Sequence, residues 1–387
     1  MASDLVSHSQ SFDFVIIGAG MAGASAAYFL STEGSVLMLE MEAQPGYHTT
    51  GRSAALYSES YGNAPIRALT SGGRRFLLDP PDGFTDTAIL TPRGALFVGR
   101  EDQMASLDAA YDAGTKHLDS MQRLTGAEAR ELVPVLREGY IAAGVLEADA
   151  MDMDVNALHQ GFLRGARKRG TQLRQDARVT GLERRGDSWH VLAGGEDIFA
   201  KVIINAAGAW CDEVAGLAGA KRVGLMPKRR TAILFDGPGD IPFAAWPAFI
   251  DADEEFYARP ESGALMGSPA DETPMAPCDV QPEELDIAIA VDRLQMATTL
   301  EIRRIIRSWA GLRSFVADKT PVVGFDPRVP GFFWLAGQGG YGIQTSPSMG
   351  RVAAALAVGN DVPADLKQFG VIAADLSPAR LGPGSIN

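Results

Sequence analysis

The feature that most limits what this 387-residue chain can fold into is the run Gly18-Ala19-Gly20-Met21-Ala22-Gly23. The pattern GxGxxG says little by itself; its surroundings say more. Before it stands an apolar stretch, residues 12–17, of the kind that forms a strand buried on both faces. After it, residues 22–30 read as a helix that Gly34 ends. Val36–Leu39 then gives a second buried strand closing on Glu40, about 20 residues beyond the glycines. This is one complete strand–helix–strand unit suited to a dinucleotide. Gly18 permits the tight turn, Gly20 lets the backbone approach a pyrophosphate, and Gly23 lets helix and strand pack closely. Free N–H groups at the helix start favour phosphate, and Glu40 accepts hydrogen bonds from ribose hydroxyls, which disfavours a 2′-phosphate.

The glycine pattern does not separate NAD from FAD, but the next segment leans toward a flavin. Pro45-Gly46-Tyr47-His48-Thr49-Thr50-Gly51-Arg52-Ser53-Ala54-Ala55 is a polar loop directly after the ribose-binding strand, able to wrap a second phosphate and a ring system. A second GxGxxG, Gly337-Gln338-Gly339-Gly340-Tyr341-Gly342, raises the question of a separate NADPH site. No second strand–helix–strand unit follows it, so that reading fails. Instead Ser346 is placed to cap a helix whose first position is Pro347, followed by the helical stretch 349–357. Such a helix start, preceded by close-approach glycines, suits the electron-rich end of a reduced flavin.

Further buried strands are expected at 202–204 and 332–335, each running into small residues. Between them, residues 231–235 and 264–266 read as strands of a mixed sheet, and 282–306 as a helical stretch. This alternation implies a nucleotide domain in three segments, 12–78, 145–222 and 318–375, with a substrate domain inserted as 79–144 and 223–317.

A net charge of −13 excludes nucleic acid as a partner and disfavours an anionic membrane surface. No apolar run approaches the ~18 residues of a membrane span. Residues 1–11 are polar and read as a loose tail, not a signal peptide. Cys211 and Cys278 form no CxxC pair and sit in no His/Cys cluster, which speaks against a disulfide framework or zinc site. A cytoplasmic enzyme without a metal is expected.

Together, residues 18–40, the loop 48–53, Asn205-Ala206-Ala207-Gly208-Ala209-Trp210, Gly311-Leu312-Arg313-Ser314 and the glycines 339–342 resemble the D-amino-acid oxidase, glycine oxidase and sarcosine oxidase superfamily. Within it the chain most resembles the bacterial D-arginine dehydrogenases. The likeness implies an α/β fold: a Rossmann-like FAD-binding domain with an inserted α+β substrate domain on a mixed sheet. It implies non-covalent FAD, because neither cysteine falls where covalent relatives attach the flavin. Besides Gly18, Gly20, Gly23 and Glu40, the residues it sets around FAD are Thr50, Gly51, Arg52, Ser53, Val179, Ala207 and Gly208. Gly339, Tyr341, Gly342, Ile343 and Thr345 complete that group.

The same resemblance assigns the substrate carboxylate to Arg230 and Arg313, assisted by the hydroxyls of Tyr61 and Tyr257. The α-amine goes to the carbonyl of Gly340, and Gln344 lines the cavity. Arginine suits a carboxylate because its planar fork gives two parallel hydrogen bonds, whereas Arg303, Arg304 and Arg307 read as solvated surface charges. His48 and His159 stay outside the catalytic set. Where the D-arginine dehydrogenases carry an acid and a polar ring for the guanidinium, this chain has Ala95 and Leu56. Loss of that acid predicts a preference for apolar or neutral side chains. The implied reaction is oxidative deamination of a D-amino acid by hydride transfer from Cα to flavin N5. No side chain stands out as a dedicated base, so the amine proton is expected to leave to water through a hydroxyl such as that of Tyr61, and the imino acid hydrolyses to a 2-oxo acid and ammonia. The partners expected are a small amino acid and an electron acceptor the sequence does not specify. Two alternatives stand beside this: oxidation of glycine or an N-methyl amino acid, and a non-catalytic flavin-binding sensor.

Overall fold

A computed structural model describes residues 10–382, so most of the expected N-terminal tail lies outside the described residues. Gln10 and Ser11, read from the sequence as tail, already belong to the first strand, Gln10–Ile17. That strand is central to an eight-stranded sheet. It runs parallel to Val36–Leu39 on one side and Glu196–Asn205 on the other, and Phe332–Ala336 continues the parallel set. Its alternate residues enter two different cores. Phe14 and Ile16 pack against the helices Met21–Leu30, Val155–Lys168 and Ser346–Ala357, while Val15 and Ile17 pack with Trp189, Val191 and Val214. Burial on both faces is why the strand reads as a continuous apolar run.

The second sheet has nine strands. Its spine is the long antiparallel pair Met226–Phe235 and Ile305–Phe315, extended through Ala264–Ser268, Tyr257–Glu261 and Ala248–Asp251 to Ala95–Gly99, Ala143–Glu147 and Met121–Thr125. Ala248–Asp251 lies parallel to Ala95–Gly99 and the other pairs are antiparallel, so the sheet is mixed. Helices Glu284–Ala297 and Gly126–Leu132 cover one face through Ala290, Leu294 and Ala129. The other face is turned to the first sheet. A small three-stranded sheet, Leu56–Tyr57, Met151–Met153 and Leu90–Pro92, joins the two bodies.

Two details differ from the sequence reading. The helix expected over 282–306 ends at Ala297: Thr298 turns to extended backbone, its hydroxyl donates to the Leu294 carbonyl at 2.6 Å, and Ile305 already belongs to a strand. A domain boundary at 144/145 passes through the strand Ala143–Glu147, all of which pairs in the second sheet. Among the described residues no helix is long and apolar enough to cross a membrane.

Candidate active site

The glycine turn is built by contact. Gly18 has φ +101°, and a Cβ there would lie 2.5 Å from the Ala206 carbonyl oxygen; one on Gly23 would lie 2.0 Å from the Gly18 carbonyl oxygen. The helix Met21–Leu30 begins at Gly20 with no side-chain cap of its own, and the Met21 N–H donates to Thr50 Oγ1 at 3.0 Å. Glu40 is buried, with its two oxygens accepting from the N–H groups of Ala19 (2.9 Å) and Glu42 (3.1 Å). His159 lies 2.9 Å from the Ala19 carbonyl oxygen, where neutral Nε2–H can donate, and burial holds its pKa below the usual histidine value. It props the turn from below.

From this turn a single cavity of about 590 Å³ runs between the two sheets, within the ~300–1,000 Å³ common for cofactor sites. Gly18, Gly20, Glu40 and Val179 line it, as do Thr50, Arg52 and Ser53, Ala207 and Gly208, and Gly339, Gly342 and Ile343. The glycine cradle, a helix start whose N-cap is a glycine, and the volume of the cavity fit a dinucleotide. The buried Gln338 amide, whose Nε2 has no partner, adds an unspent donor beside the same glycines.

Not every expected cofactor residue reaches this space. Gly23 and Gly51 act through packing: a Cβ on Gly51 would lie 2.7 Å from the Gly46 carbonyl oxygen. Tyr341 and Thr345 do not line the cavity; Thr345 is fully buried and its hydroxyl donates to the Tyr341 carbonyl. The Arg52 guanidinium turns toward the second sheet, donating to the Val280 and Ala310 carbonyls and pairing with Asp279. The helix Ser346–Ala357 has Thr345, not Ser346, at its N-cap and Pro347 at its second position. The Ser346 hydroxyl is turned back to the Ile343 carbonyl, so neither residue caps through its side chain.

At the opposite end the long strand pair supplies two arginines. Arg230 stands opposite Gly311, which puts Arg313 two residues on, on the same face. Arg313 Nη1 is 3.5 Å from the Tyr61 hydroxyl, and its guanidinium lies so flat on Gly340 that a Cβ there would sit 3.0 Å from Nη1. Arg230 donates to the Asp271 carbonyl and to Glu272 at 3.4 Å. Its neighbour Arg229, buried on the other face, is matched by Asp271, Glu283 and Asp286, so it carries structure, not site chemistry. Burial opposes the charge on Arg313, yet Tyr61 and Tyr257 hold its pKa above the usual arginine value. The two phenols diverge. Burial pushes Tyr61 up, whereas for Tyr257 burial is outweighed by Arg313 and Arg230, which bring it below the usual phenol value.

Gln344 lines the cavity but is engaged elsewhere: its amide bonds to both backbone groups of Ser58 and to the Thr70 hydroxyl. Leu56 lines the cavity. Ala95 does not; it is fully buried in its strand, opposite Glu147 and Ala248. Apart from Tyr257, the wall on this side is formed by residues the sequence reading does not single out. Phe97, Ile250 and Tyr257 stand in one row across three paired strands, with Ala248 and Met266 beside them. Arg259 also lines it, pairing with Asp152 and with Glu261 at 2.7 Å. Only strand register brings these together, and single-residue chemistry carries no such signal.

Comparisons with known proteins agree in kind. The model of the DAO family, FAD dependent oxidoreductase, matches residues 13–356. The chain is 25% identical to the uncharacterized oxidoreductase YurR of Bacillus subtilis, over 92% of this chain and 97% of that protein. It is 23% identical to glycine oxidase of Bacillus licheniformis, over 91% and 94%. The crystal structure of glycine oxidase from Geobacillus kaustophilus superposes with a TM-score of 0.81 at 20% identity, covering 93% of this chain and 98% of that one.

Proposed function

The chain belongs to the FAD-dependent oxidoreductase family, and from that premise we propose that it oxidises the carbon bearing the nitrogen of a small D-amino acid with an apolar or neutral side chain. The observation that carries this reading is the convergence of Arg230, Arg313, Tyr61 and Tyr257 at one end of the cofactor cavity. Arg230 already has Glu272 at 3.4 Å, whereas the Arg313 guanidinium bonds only to the Tyr61 hydroxyl among the described residues, and a substrate carboxylate would match its fork.

FAD, the cofactor of this family, supplies a two-electron acceptor for the hydride that leaves Cα. Gly18, Gly20 and the helix start would hold its pyrophosphate and Glu40 a ribose, with Val179 at the adenine end. Neither cysteine lines the cavity, which supports non-covalent binding. The protein's own part is orientation. Arg230 and Arg313 fix the carboxylate, the Gly340 carbonyl accepts from the α-amine, and the substrate is held for hydride loss by proximity. The amine proton leaves to water through a hydroxyl such as that of Tyr61, with the Tyr257 hydroxyl, which against burial Arg313 and Arg230 make the more acidic of the two, as a second hydrogen-bonding group of the same clamp. The released imino acid hydrolyses to a 2-oxo acid and ammonia.

The expected resemblance of the site motifs to those of bacterial D-arginine dehydrogenases is what favours D-handedness in this reading, while the side-chain wall suits a different side chain. Leu56, Phe97, Ile250 and Met266 offer methyl and ring surface worth about 0.8 kcal/mol per buried CH₂. Arg259 opposes a cationic side chain, and Glu254, an acid that lines the cavity, is exposed. A second reading, oxidation of glycine or an N-methyl amino acid, draws support from the similarity to glycine oxidase.

The test is anaerobic reduction of the flavin and turnover with an artificial acceptor across D- and L-amino acids, glycine and sarcosine. D-Leu, D-Met or D-Phe should lead, with D-Arg and D-Lys far behind. Glycine or sarcosine in the lead would favour the second reading. Absence of flavin bleaching by every amino acid would make the protein a flavin-binding sensor.

A further inference from the structure

Behind the wall of the cavity lies a buried carboxylate that the chemistry above does not use. Glu147 ends the strand Ala143–Glu147, is 1% exposed, and stands directly opposite Ala95. Its oxygens accept from three consecutive residues of one loop: the Ser58 hydroxyl at 2.7 Å, the Glu59 N–H at 2.8 Å and the Ser60 hydroxyl at 2.5 Å. Burial pushes its pKa up, and the same serines and backbone donors oppose that rise. The next residue in the loop is Tyr61, whose hydroxyl meets Arg313. Gln344 grips Ser58 from the other side through both backbone groups.

We propose that Glu147 is a positioning residue for the substrate clamp: it fixes residues 58–60 so that Tyr61 is presented to Arg313 and the carboxylate between them. The proposal rests on the carboxylate-clamp reading given above. A carboxylate can accept several hydrogen bonds at once, and three donors from successive residues fix both the path and the rotation of that short segment. No other side chain is bonded to all three residues among the described residues. The segment is otherwise irregular, lying between the strand Leu56–Tyr57 and the Asn63 cap of the helix Ala64–Leu78. The small residue at 95 follows from the same arrangement. Directly paired residues bring their Cβ atoms to ~4.5–5.5 Å, so a longer side chain at 95 would compete with the Glu147 carboxylate for the loop.

The test uses holoenzyme in five forms: wild type, Glu147→Gln, Ser60→Ala, Tyr61→Phe and the Glu147→Gln/Tyr61→Phe double variant. Glu147→Gln keeps the size but loses acceptor capacity; Ser60→Ala removes one bond from the loop side and keeps the test alive if the first variant folds poorly. Sodium acetate, titrated against the flavin spectrum, reports the clamp without turnover. Acetate Kd and KM for the best substrate should rise roughly three- to tenfold in Glu147→Gln and in the same direction in Ser60→Ala, with flavin content unchanged. Adding Glu147→Gln to Tyr61→Phe should cost little more, because both act through one hydroxyl. Amide exchange across residues 58–62 should quicken in Glu147→Gln. Wild-type acetate binding and exchange in both single variants, or additive losses in the double variant, would overturn the positioning role. If instead wild type binds no acetate while the exchange difference persists, Glu147 still holds the loop and the carboxylate-clamp reading is what fails.

Discussion

Replacing Arg313 by Met separates the energetics of catalysis from those of folding, because the two should move differently. The guanidinium lies within the cavity against Gly340 and Tyr61, and Arg230, another cation, acts on the same two phenols from the paired strand. In the bound complex it would give the carboxylate charge-assisted hydrogen bonds, each contributing ~1.5–3 kcal/mol. Losing even one such bond lowers kcat/KM by roughly ten- to a hundredfold. In the free protein its hydrogen-bond partner is the Tyr61 phenol, and the acid acting on it, Glu254, is exposed to water, so no buried counter-charge is orphaned. Thermal stability should therefore hold or rise slightly. Tyr257 would also lose the largest of the influences that lower its pKa, so an alkaline limb of the pH–rate profile governed by Tyr257 should move to higher pH. The assays are steady-state kinetics with the best D-amino acid and an artificial acceptor, a melting curve, and flavin content by absorbance. Near-normal efficiency would remove Arg313 from the carboxylate site. A large loss of Tm or of flavin would mean that its role is structural.

Four further outcomes are expected. Gly340→Ala puts a Cβ 3.0 Å from Arg313 Nη1 with no left-handed backbone to strain, so the guanidinium must shift by a few tenths of an ångström; kcat/KM should fall by roughly tenfold with flavin retained. Ala95→Glu places a second carboxylate beside buried Glu147, so it should lower Tm and impair turnover without moving the substrate ranking toward D-Arg, which a ranking measured on soluble variant would check. His159 favours its neutral form in the fold, so its stabilisation is complete above the ordinary value of 6.5 and is lost as pH falls through its depressed folded pKa. Flavin release on acidification should accordingly flatten in His159→Gln, which keeps a donor for the Ala19 carbonyl. Denatured wild type should release intact FAD into the supernatant, measured by fluorescence, because no cysteine lines the cavity.

How far the site could be read from the sequence follows from how each part is built. The cofactor end is local. Gly18, Gly20 and Glu40 lie within one strand–helix–strand unit, where turn chemistry and spacing fix the backbone, and all three line the cavity. Motif membership did not fix where side chains go, however. Arg52 sits in the expected loop, yet its guanidinium is drawn to the Val280 and Ala310 carbonyls across the cavity, partners more than 200 residues away. The substrate end depends on register instead. Arg230 and Arg313 meet because residue 230 pairs with 311, a relation that no stretch of sequence displays.

Ala95 shows where reading by position fails. It shares a strand face with Phe97 two residues on, yet Phe97 lines the cavity and Ala95 does not. The sequence reading took the missing acid at 95 as an emptied binding site for a cation. In the fold, the neighbouring strand carries a carboxylate, Glu147, directly opposite, and its hydrogen bonds run to the loop, not into the cavity. A carboxylate on this face is thus present but already engaged, with three donors and burial against it. The apolar character of the pocket therefore does not rest on Ala95. It rests on Leu56, Phe97, Ile250 and Met266, together with an arginine whose charge is answered by Asp152 and Glu261 before any substrate arrives.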